Sequence, residues 1–196
     1  MIPILILAAG ASRRMQGQDK LLQVVEGMPL LRRQVLMAQA TGHPVFVALP
    51  AANHPRAGVI RDLDATLLIV PDAAQGMGIT MRDAVAQLPQ CDAFMILLGD
   101  LVALTTADLQ VVFAARHLHP DAAIWRGATE DGKPGHPVIF GAGLRADFAD
   151  LAGDAGAESI VQAHKAATRL VPLPDQRARF DLDTPEQWEA WRRTAL

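Results

Sequence analysis

Short apolar runs alternate with amphipathic or alanine-rich segments through the first half of this chain. Eight runs along the sequence have the length and composition of buried strands, and several lack polar–apolar alternation, as strands covered on both faces do. They lie at residues 2–8, 44–49, 65–70, 93–98, 122–125, 137–140, 169–173 and 180–182. Helical spacing predicts helices at 30–41, 56–63, 77–88 and 106–117. This order predicts an α/β fold, a single Rossmann-like three-layer domain with a mostly parallel sheet.

The pattern changes after about residue 120. Glycine, proline and charged residues cluster at 126–135, which predicts a loop or hairpin tip, and a second glycine cluster at 152–156 precedes another helix. Thr184, Pro185 and Glu186 have the order of an N-cap, a first-turn proline and a capping acid. Because no stretch has the composition of a linker, we expect one domain over residues 1–196.

Composition narrows the classes of function. The chain has 196 residues, 51% hydrophobic and 20% charged, and its formal net charge is −3, so no basic field attracts nucleic acid. Cys91 is the single cysteine, which excludes an internal disulfide framework and fits a reducing compartment. No apolar run is long enough to cross a membrane. We therefore expect a cytoplasmic protein that binds neither nucleic acid nor membrane.

A segment of small and basic residues follows the first predicted strand. It runs from Leu7 to Met15, contains Gly10 and Arg14, and is followed by Lys20. Small residues let backbone N–H groups approach phosphate oxygens, and the cations supply positive charge. The spacing matches neither the P-loop nor the dinucleotide fingerprint, and a tight βα turn with a solvated edge would use the same residues. The segment indicates a polyphosphate loop only in combination with other features.

Carboxylates follow two predicted strands. Asp100 leaves the strand at 93–98, and Asp181 and Asp183 lie on a strand-to-helix corner, where their spacing puts both on one face of an extended chain. Ligands of open α/β sheets bind outside the carboxyl ends of the strands, and Mg²⁺ prefers carboxylates together with substrate oxygens. Asp100 could instead form a turn, and Asp183 or Thr184 could cap the last helix.

Two further segments contain glycines beside polar side chains. Gly76 and Thr80 lie at the start of the third predicted helix, where free N–H groups could receive a base or ribose. His136, in the sequence Gly135-His136-Pro137, could contact a second substrate, although a lone histidine beside a strand is more often structural. The histidines lack zinc-ligand spacing, and no serine-hydrolase elbow is present.

Taken in order, these motifs resemble those of the MobA-like nucleotidyltransferases, and within them the molybdenum cofactor cytidylyltransferases. The matches are L-A-A-G-x-S-x-R-M at 7–15 with Lys20, G-M-x-x-S/T-L/M at 76–81, L-G-D of L-G-D-x-P at 98–100, G-H-P-V at 135–138, G-D-x-G-A at 153–157 and D-x-D-T-P at 181–185. The resemblance spans nearly the whole chain. It implies a fold like that of the nucleotide-diphospho-sugar transferases, with a nucleotide-binding half at 1–120 and an acceptor-facing half at 121–196.

The resemblance also implies a reaction, in which Mg²⁺-dependent transfer moves CMP from CTP to the phosphate of molybdopterin and releases pyrophosphate. CTP is favoured over GTP because an alanine stands at position 9, where the GTP-using branch has glycine. The catalytic residues implied are Arg14, Lys20 and Asp100, with Asp100 and Asp183, or else Asp181, as metal ligands. The nucleotide-binding residues implied are Leu7, Ala8, Ala9, Gly10, Ala11, Arg14, Lys20, Gly76 and Thr80. Acceptor contacts are implied for Gly135, His136 and Asp154.

Three departures from the family pattern keep alternatives open. Val102 replaces a proline after Asp100, Gln16 replaces a glycine after Met15, and Glu158 replaces an arginine after the G-D-x-G-A motif. The charge reversal at Glu158 leaves the acceptor open, so a sugar or alcohol phosphate is the first alternative. The second is a non-catalytic accessory protein for molybdoenzyme maturation, whose partner would be a molybdoenzyme or its chaperone.

Overall fold

The computed structural model describes residues 1–194, and a seven-stranded sheet forms its centre. In chain order its strands are β1 (Ile4–Leu7), β4 (Val45–Leu49), β5 (Ala65–Ile69), β6 (Ala93–Leu98), β7 (Ile124–Ala128), β8 (Pro134–Gly141) and β9 (Thr168–Pro172), while β2 (Val24–Val25) and β3 (Met28–Pro29) form a separate two-stranded ribbon. The spatial order is β5-β4-β1-β6-β8-β7-β9. Only β8 in this sheet runs antiparallel to its neighbours, so the predicted mostly parallel α/β fold is confirmed.

Helices cover both faces of this sheet. They are α1 (Leu30–Gln39), α2 (Pro55–Gly58), α3 (Met77–Gln87), α4 (Thr106–Leu118), α5 (Glu158–Ala163) and α6 (Pro185–Thr194). Apolar side chains of α1, α4 and α6 pack on the face presented by Ile4, Ile6 and Val47. Those of α3, α5 and the 3₁₀ segment Ala142–Asp150 pack on the face presented by Leu5, Phe94 and Phe140. Because both faces are covered, most strand residues are apolar on both sides.

The structure corrects three of the predicted elements. The helix expected at 56–63 is the single turn α2, since Gly58 and the β-branched residues after it favour helix poorly. The strand expected at 180–182 is one isolated bridge between Asp181 and Leu101, because the chain leaves a 3₁₀ turn and enters α6 within a few residues. The segment at 126–135, expected to be a loop or hairpin tip, is the tip of the β7–β8 hairpin, but the turn is confined to 129–133 because the residues on either side belong to the two strands. None of the helices in residues 1–194 is long and apolar enough to cross a membrane.

Candidate active site

A cavity of about 330 Å³ opens at the carboxyl ends of β1 and β6. Leu7 and Leu98 are register partners in these neighbouring parallel strands, so the segments that follow them leave the sheet side by side. The cavity wall contains every residue for which a nucleotide contact was predicted: Leu7, Ala8, Ala9, Gly10, Ala11, Arg14, Lys20, Gly76 and Thr80. Asp100, Asp154 and Asp183 also line it. The topology therefore joins segments from the whole length of the chain in one site.

The loop after β1 is open towards the cavity at Gly10 and is anchored in the core at Met15. A Cβ atom at Gly10 would meet no atom of the described chain within 4 Å, so packing does not explain the glycine. Met15 is fully buried and joins the core, while Arg14 in the same 3₁₀ turn has a side chain 72% exposed. Gln16 has φ 51°, a left-handed conformation that glycine adopts most readily, which gives a physical reason for a glycine at this position in related sequences.

A network of charges crosses the cavity wall. The Lys20 ammonium donates hydrogen bonds to Asp100 and, at 2.8 Å, to Asp183, and Arg14 Nη2 lies 2.5 Å from the other Asp183 oxygen. Burial by itself would lower the pKa of Lys20, but the charges and hydrogen bonds of the two carboxylates raise it above its ordinary value. Burial would raise the pKa of Asp183, and Lys20 and Arg14 hold it lower instead. Lys20 is therefore a fixed cation at neutral pH.

Three carboxylates meet beside Lys20. Asp100, Asp181 and Asp183 each offer an oxygen within 4.8 Å of the others, because the bridge between Leu101 and Asp181 holds the two segments together. Burial and the charges of Asp183 and Asp100 raise the pKa of Asp181. Oxygen Oδ1 of Asp100 is buried and accepts no hydrogen bond from residues 1–194. A buried acceptor without a partner and three converging hard oxygen ligands fit a divalent cation of the Mg²⁺ type.

The residue that caps the N-terminus of α6 is Thr184 and not Asp183. Thr184 Oγ1 accepts a hydrogen bond from the Gln187 backbone N–H at 3.3 Å, at the first turn of α6. The Gln187 side chain in turn accepts hydrogen bonds from the backbone N–H groups of Asp183 and Thr184. The Asp183 carboxylate is therefore left to face the cations of the cavity.

The start of α3 is packed tightly against the 152–155 loop. A Cβ at Gly76 would lie 2.2 Å from the Gly153 carbonyl oxygen, and one at Gly78 would lie 2.6 Å from the Ala155 carbonyl oxygen. Gly76 also has φ 129°, which side chains rarely tolerate. Close packing therefore explains both glycines, and it brings Asp154 to the cavity wall, which Gly76 also lines.

The residues predicted to contact the acceptor do not share one cavity. Asp154 lines the first cavity, whereas His136 lines a second cavity of about 130 Å³ together with Arg126 and Glu158. Gly135 lines neither: it packs against the Ala178 carbonyl, where a Cβ would lie 2.2 Å from the oxygen, and its own carbonyl accepts a hydrogen bond from Arg126. Burial and the nearby Arg126 charge lower the pKa of His136 to about 4.

Arg56 is a site residue that the sequence analysis missed. Its side chain is 3% exposed, and its guanidinium binds Asp19 through Nε and Nη2, both at 2.8 Å. Nη1 donates to the Ala8 carbonyl at 2.5 Å, and Nη2 donates to Ser12 Oγ at 3.1 Å. Arg56 thus ties both ends of the loop after β1 to the segment before Lys20. An arginine in a predicted surface helix has no sequence signal for such burial.

A mostly parallel α/β sheet with a basic loop and a carboxylate cluster at the same strand ends defines a nucleotidyltransferase. The chain belongs to the MobA-like NTP transferase domain family, whose model matches residues 4–168, so the resemblance to the MobA-like nucleotidyltransferases is confirmed. It is 31% identical over 191 residues, 95% of each chain, to a probable molybdenum cofactor guanylyltransferase of Synechococcus elongatus. A molybdenum cofactor guanylyltransferase of Bradyrhizobium sp. is 31% identical over 150 residues, 63% of this chain and 66% of its own length.

Solved structures share the fold. The crystal structure of Rv0371c from Mycobacterium tuberculosis has a TM-score of 0.77 and 25% identity, with 98% of this chain and 96% of that chain covered. Another structure of Rv0371c, a complex with manganese, has 22% identity and the same TM-score, with 96% of each chain covered. CMP:2-keto-3-deoxy-manno-octonic acid synthetase in complex with CTP has a TM-score of 0.74 at 12% identity, with 100% of this chain and 98% of that chain covered. The last two show the fold alone.

Proposed function

We propose that this nucleotidyltransferase moves CMP from CTP to a phosphorylated acceptor, molybdopterin, with Mg²⁺ and with release of pyrophosphate. The observation that carries the proposal is the first cavity, where an open backbone loop and two cations meet Asp100 and Asp183, with an oxygen of Asp181 within 4.8 Å of theirs. Each of these groups has a counterpart in the chemistry of a nucleoside triphosphate. The names of the 31% identical relatives support molybdenum cofactor as the acceptor.

The loop and its cations suit a triphosphate. Backbone N–H groups of residues 9–11 can approach phosphate oxygens because Gly10 has no side chain on the open side. Arg14 is largely exposed and reaches into the cavity, whereas Lys20 is held between two carboxylates. An exposed cation and a buried one together can neutralise charge on the β- and γ-phosphates, the part that leaves as pyrophosphate.

The carboxylates suit the cation that accompanies such a substrate. Asp100 and Asp183 would hold Mg²⁺, with Asp181 as the third oxygen ligand. When bound, the cation neutralises charge on the triphosphate and polarises the phosphorus that is attacked. Hydrogen bonds from Lys20 hold Asp100 and Asp183 in place beside the cavity, and they hold the pKa of Asp183 below its ordinary value.

The transfer itself needs positioning more than a protein nucleophile. The acceptor phosphate oxygen attacks the α-phosphorus, a new P–O–P linkage forms, and the bond to the β-phosphate oxygen breaks as pyrophosphate leaves. The acceptor phosphate is already ionised at neutral pH, so this step requires no general base. The chain's contribution is to hold the two phosphates in line and to stabilise negative charge on the leaving group.

The base preference rests on position 9. Ala9 is nearly buried in the cavity wall, and its methyl group takes space that glycine would leave free. In the family that the chain resembles, alanine at this position accompanies CTP and glycine accompanies GTP, and this is the ground for the preference. GTP is the second candidate, because the relatives at 31% identity are named guanylyltransferases.

Pyrophosphate release tests the proposal. The purified protein is incubated with Mg²⁺ and CTP, GTP, ATP or UTP, with and without molybdenum cofactor. We expect cofactor-dependent release that is fastest with CTP, and we expect Ala9→Gly to shift the CTP to GTP ratio of kcat/KM towards GTP by about tenfold. Release with GTP alone in the wild type would assign the guanylyl reaction instead. No release with any nucleotide, in protein that binds nucleotide by calorimetry, would refute the proposed transfer.

A further inference from the structure

The second cavity adjoins the first and differs from it in character. Its volume of about 130 Å³ is less than half of the first cavity's 330 Å³, and Met77 lines both. Its remaining walls are largely apolar: Met81, Ile96, Val138, Phe140 and Val161. Methionine and phenylalanine walls suit a flat polarisable ring better than a polyol, whose hydroxyl groups would lose water without gaining partners.

His136 supplies an unused polar atom in this cavity. Its Nδ1 is buried and has no hydrogen-bond partner in the part of the chain that the structure describes. With a pKa of about 4 the ring is neutral at pH 7, so it carries one donor and one acceptor nitrogen. A buried polar atom without a partner is unfavourable, and a ligand that hydrogen-bonds to it would remove this cost.

Arg126 and Glu158 form the charged edge of the cavity. Arg126 Nη1 donates to Glu158 at 2.9 Å, and its Nε donates to the Gly135 carbonyl at 3.1 Å. The second Glu158 oxygen accepts from Gln162 at 2.9 Å, while the side chain stays 58% exposed. The carboxylate cancels the arginine charge and can accept further hydrogen bonds, so this edge attracts N–H donors and disfavours phosphate.

We propose that the second cavity binds a neutral heterocycle with a 2-amino-4-oxopyrimidine edge, whose adjacent NH₂ and ring N–H donate to Glu158. The apolar walls would cover its faces, and His136 would hydrogen-bond to a ring heteroatom. This edge occurs in a pterin, as part of the acceptor, and in guanine, as part of a nucleotide. This inference rests on the proposed function only in naming the molecule that carries the ring, the acceptor or the nucleotide.

Calorimetry with free rings tests the inference independently of transfer. The intact protein is titrated with pterin and with lumazine, which has an oxygen in place of the 2-amino group, and likewise with guanosine and xanthosine. We expect pterin to bind about tenfold more tightly than lumazine, because lumazine lacks the NH₂ group that donates to Glu158. The factor is modest because the Glu158 carboxylate is half-exposed and water can replace the lost donor. Glu158→Gln should reduce this preference to near unity, because the neutral amide accepts more weakly.

Glu189→Gln is the matched control, since Glu189 forms an exposed pair with Arg193 on α6. This variant should keep the wild-type preference. A preference for guanosine over xanthosine, with no pterin binding, would assign the same edge to the nucleotide. If none of these rings binds, or if Glu158→Gln leaves the preference unchanged, the inference is overturned, even where pyrophosphate release with molybdenum cofactor succeeds. Ring binding without pyrophosphate release would instead uphold the inference and refute the transfer.

Discussion

Replacing Arg56 with alanine would separate the two ends of the nucleotide loop from their shared support. The substitution removes a two-pronged ion pair with Asp19 and the hydrogen bonds to Ala8 and Ser12. Asp19 would keep the Leu21 backbone N–H as a partner but lose its counter-charge. The loop would therefore lose its fixed geometry although Arg56 itself does not line the cavity.

The magnitude follows from the burial of the pair. Breaking a buried ion pair by removing one partner costs about 3–5 kcal/mol. Arg56 is 3% exposed but Asp19 is 21% exposed, so water can partly solvate the carboxylate that remains. We therefore expect a loss of about 2–3 kcal/mol in the free energy of unfolding. Nucleotide KM should rise by about tenfold, because loop order is now gained only on binding.

Arg32→Ala is the matched control for this variant. Arg32 also forms a two-pronged pair with an aspartate, Asp62, at 2.6 and 2.8 Å, and also donates to a backbone carbonyl, but the Asp62 side chain is 59% exposed. Exposed pairs contribute little to stability, so Arg32→Ala should lose much less stability than Arg56→Ala. Urea denaturation measures stability, and initial rates of pyrophosphate release measure KM. Equal stability losses in the two variants, or an unchanged KM in Arg56→Ala, would refute the proposal that Arg56 holds the loop after β1 in place.

Further predictions concern three residues of the two cavities. Asp100→Asn should lower metal-dependent pyrophosphate release by about 10²-fold or more while the circular dichroism spectrum stays native, and near-normal turnover would remove Asp100 from the metal site. Lys20→Ala should raise KM for CTP and GTP by a similar factor, about tenfold, and a change confined to one base would contradict its phosphate role. The pKa of His136 is about 4 in the folded protein but near 6.5 in the unfolded chain. As the pH falls, the unfolded chain therefore takes up a proton before the folded protein does. The free energy of unfolding should therefore fall by about 2 kcal/mol between pH 7 and pH 5 because of His136. In His136→Gln this contribution is absent, so urea denaturation should show a smaller fall in stability over the same pH range.

The two-faced burial of the sheet could be predicted because it depends on local pattern. Continuous apolar runs such as the one at 93–98 are compatible with a strand only if both faces are covered, and this predicted the helical layers. The predicted helix at 56–63 and the predicted strand at 180–182 failed for the opposite reason. At 56–63 helix propensity falls from Gly58 onwards, so only one turn forms, and at 180–182 the pairing is limited to one bridge with Leu101, a partner distant in sequence.

What the sequence determined by itself was the set of chemical groups and their order along the chain, since residue types and strand ends are local properties. The tertiary structure alone decided which groups meet. Parallel register beside β6 placed Lys20 next to Asp100, and one bridge brought Asp181 and Asp183 to the same point. The burial of Arg56 and the pairing of Glu158 with Arg126 likewise depend on contacts more than thirty residues apart. Charge pairing across such separations leaves no periodic signal, because it acts through space and not along the chain.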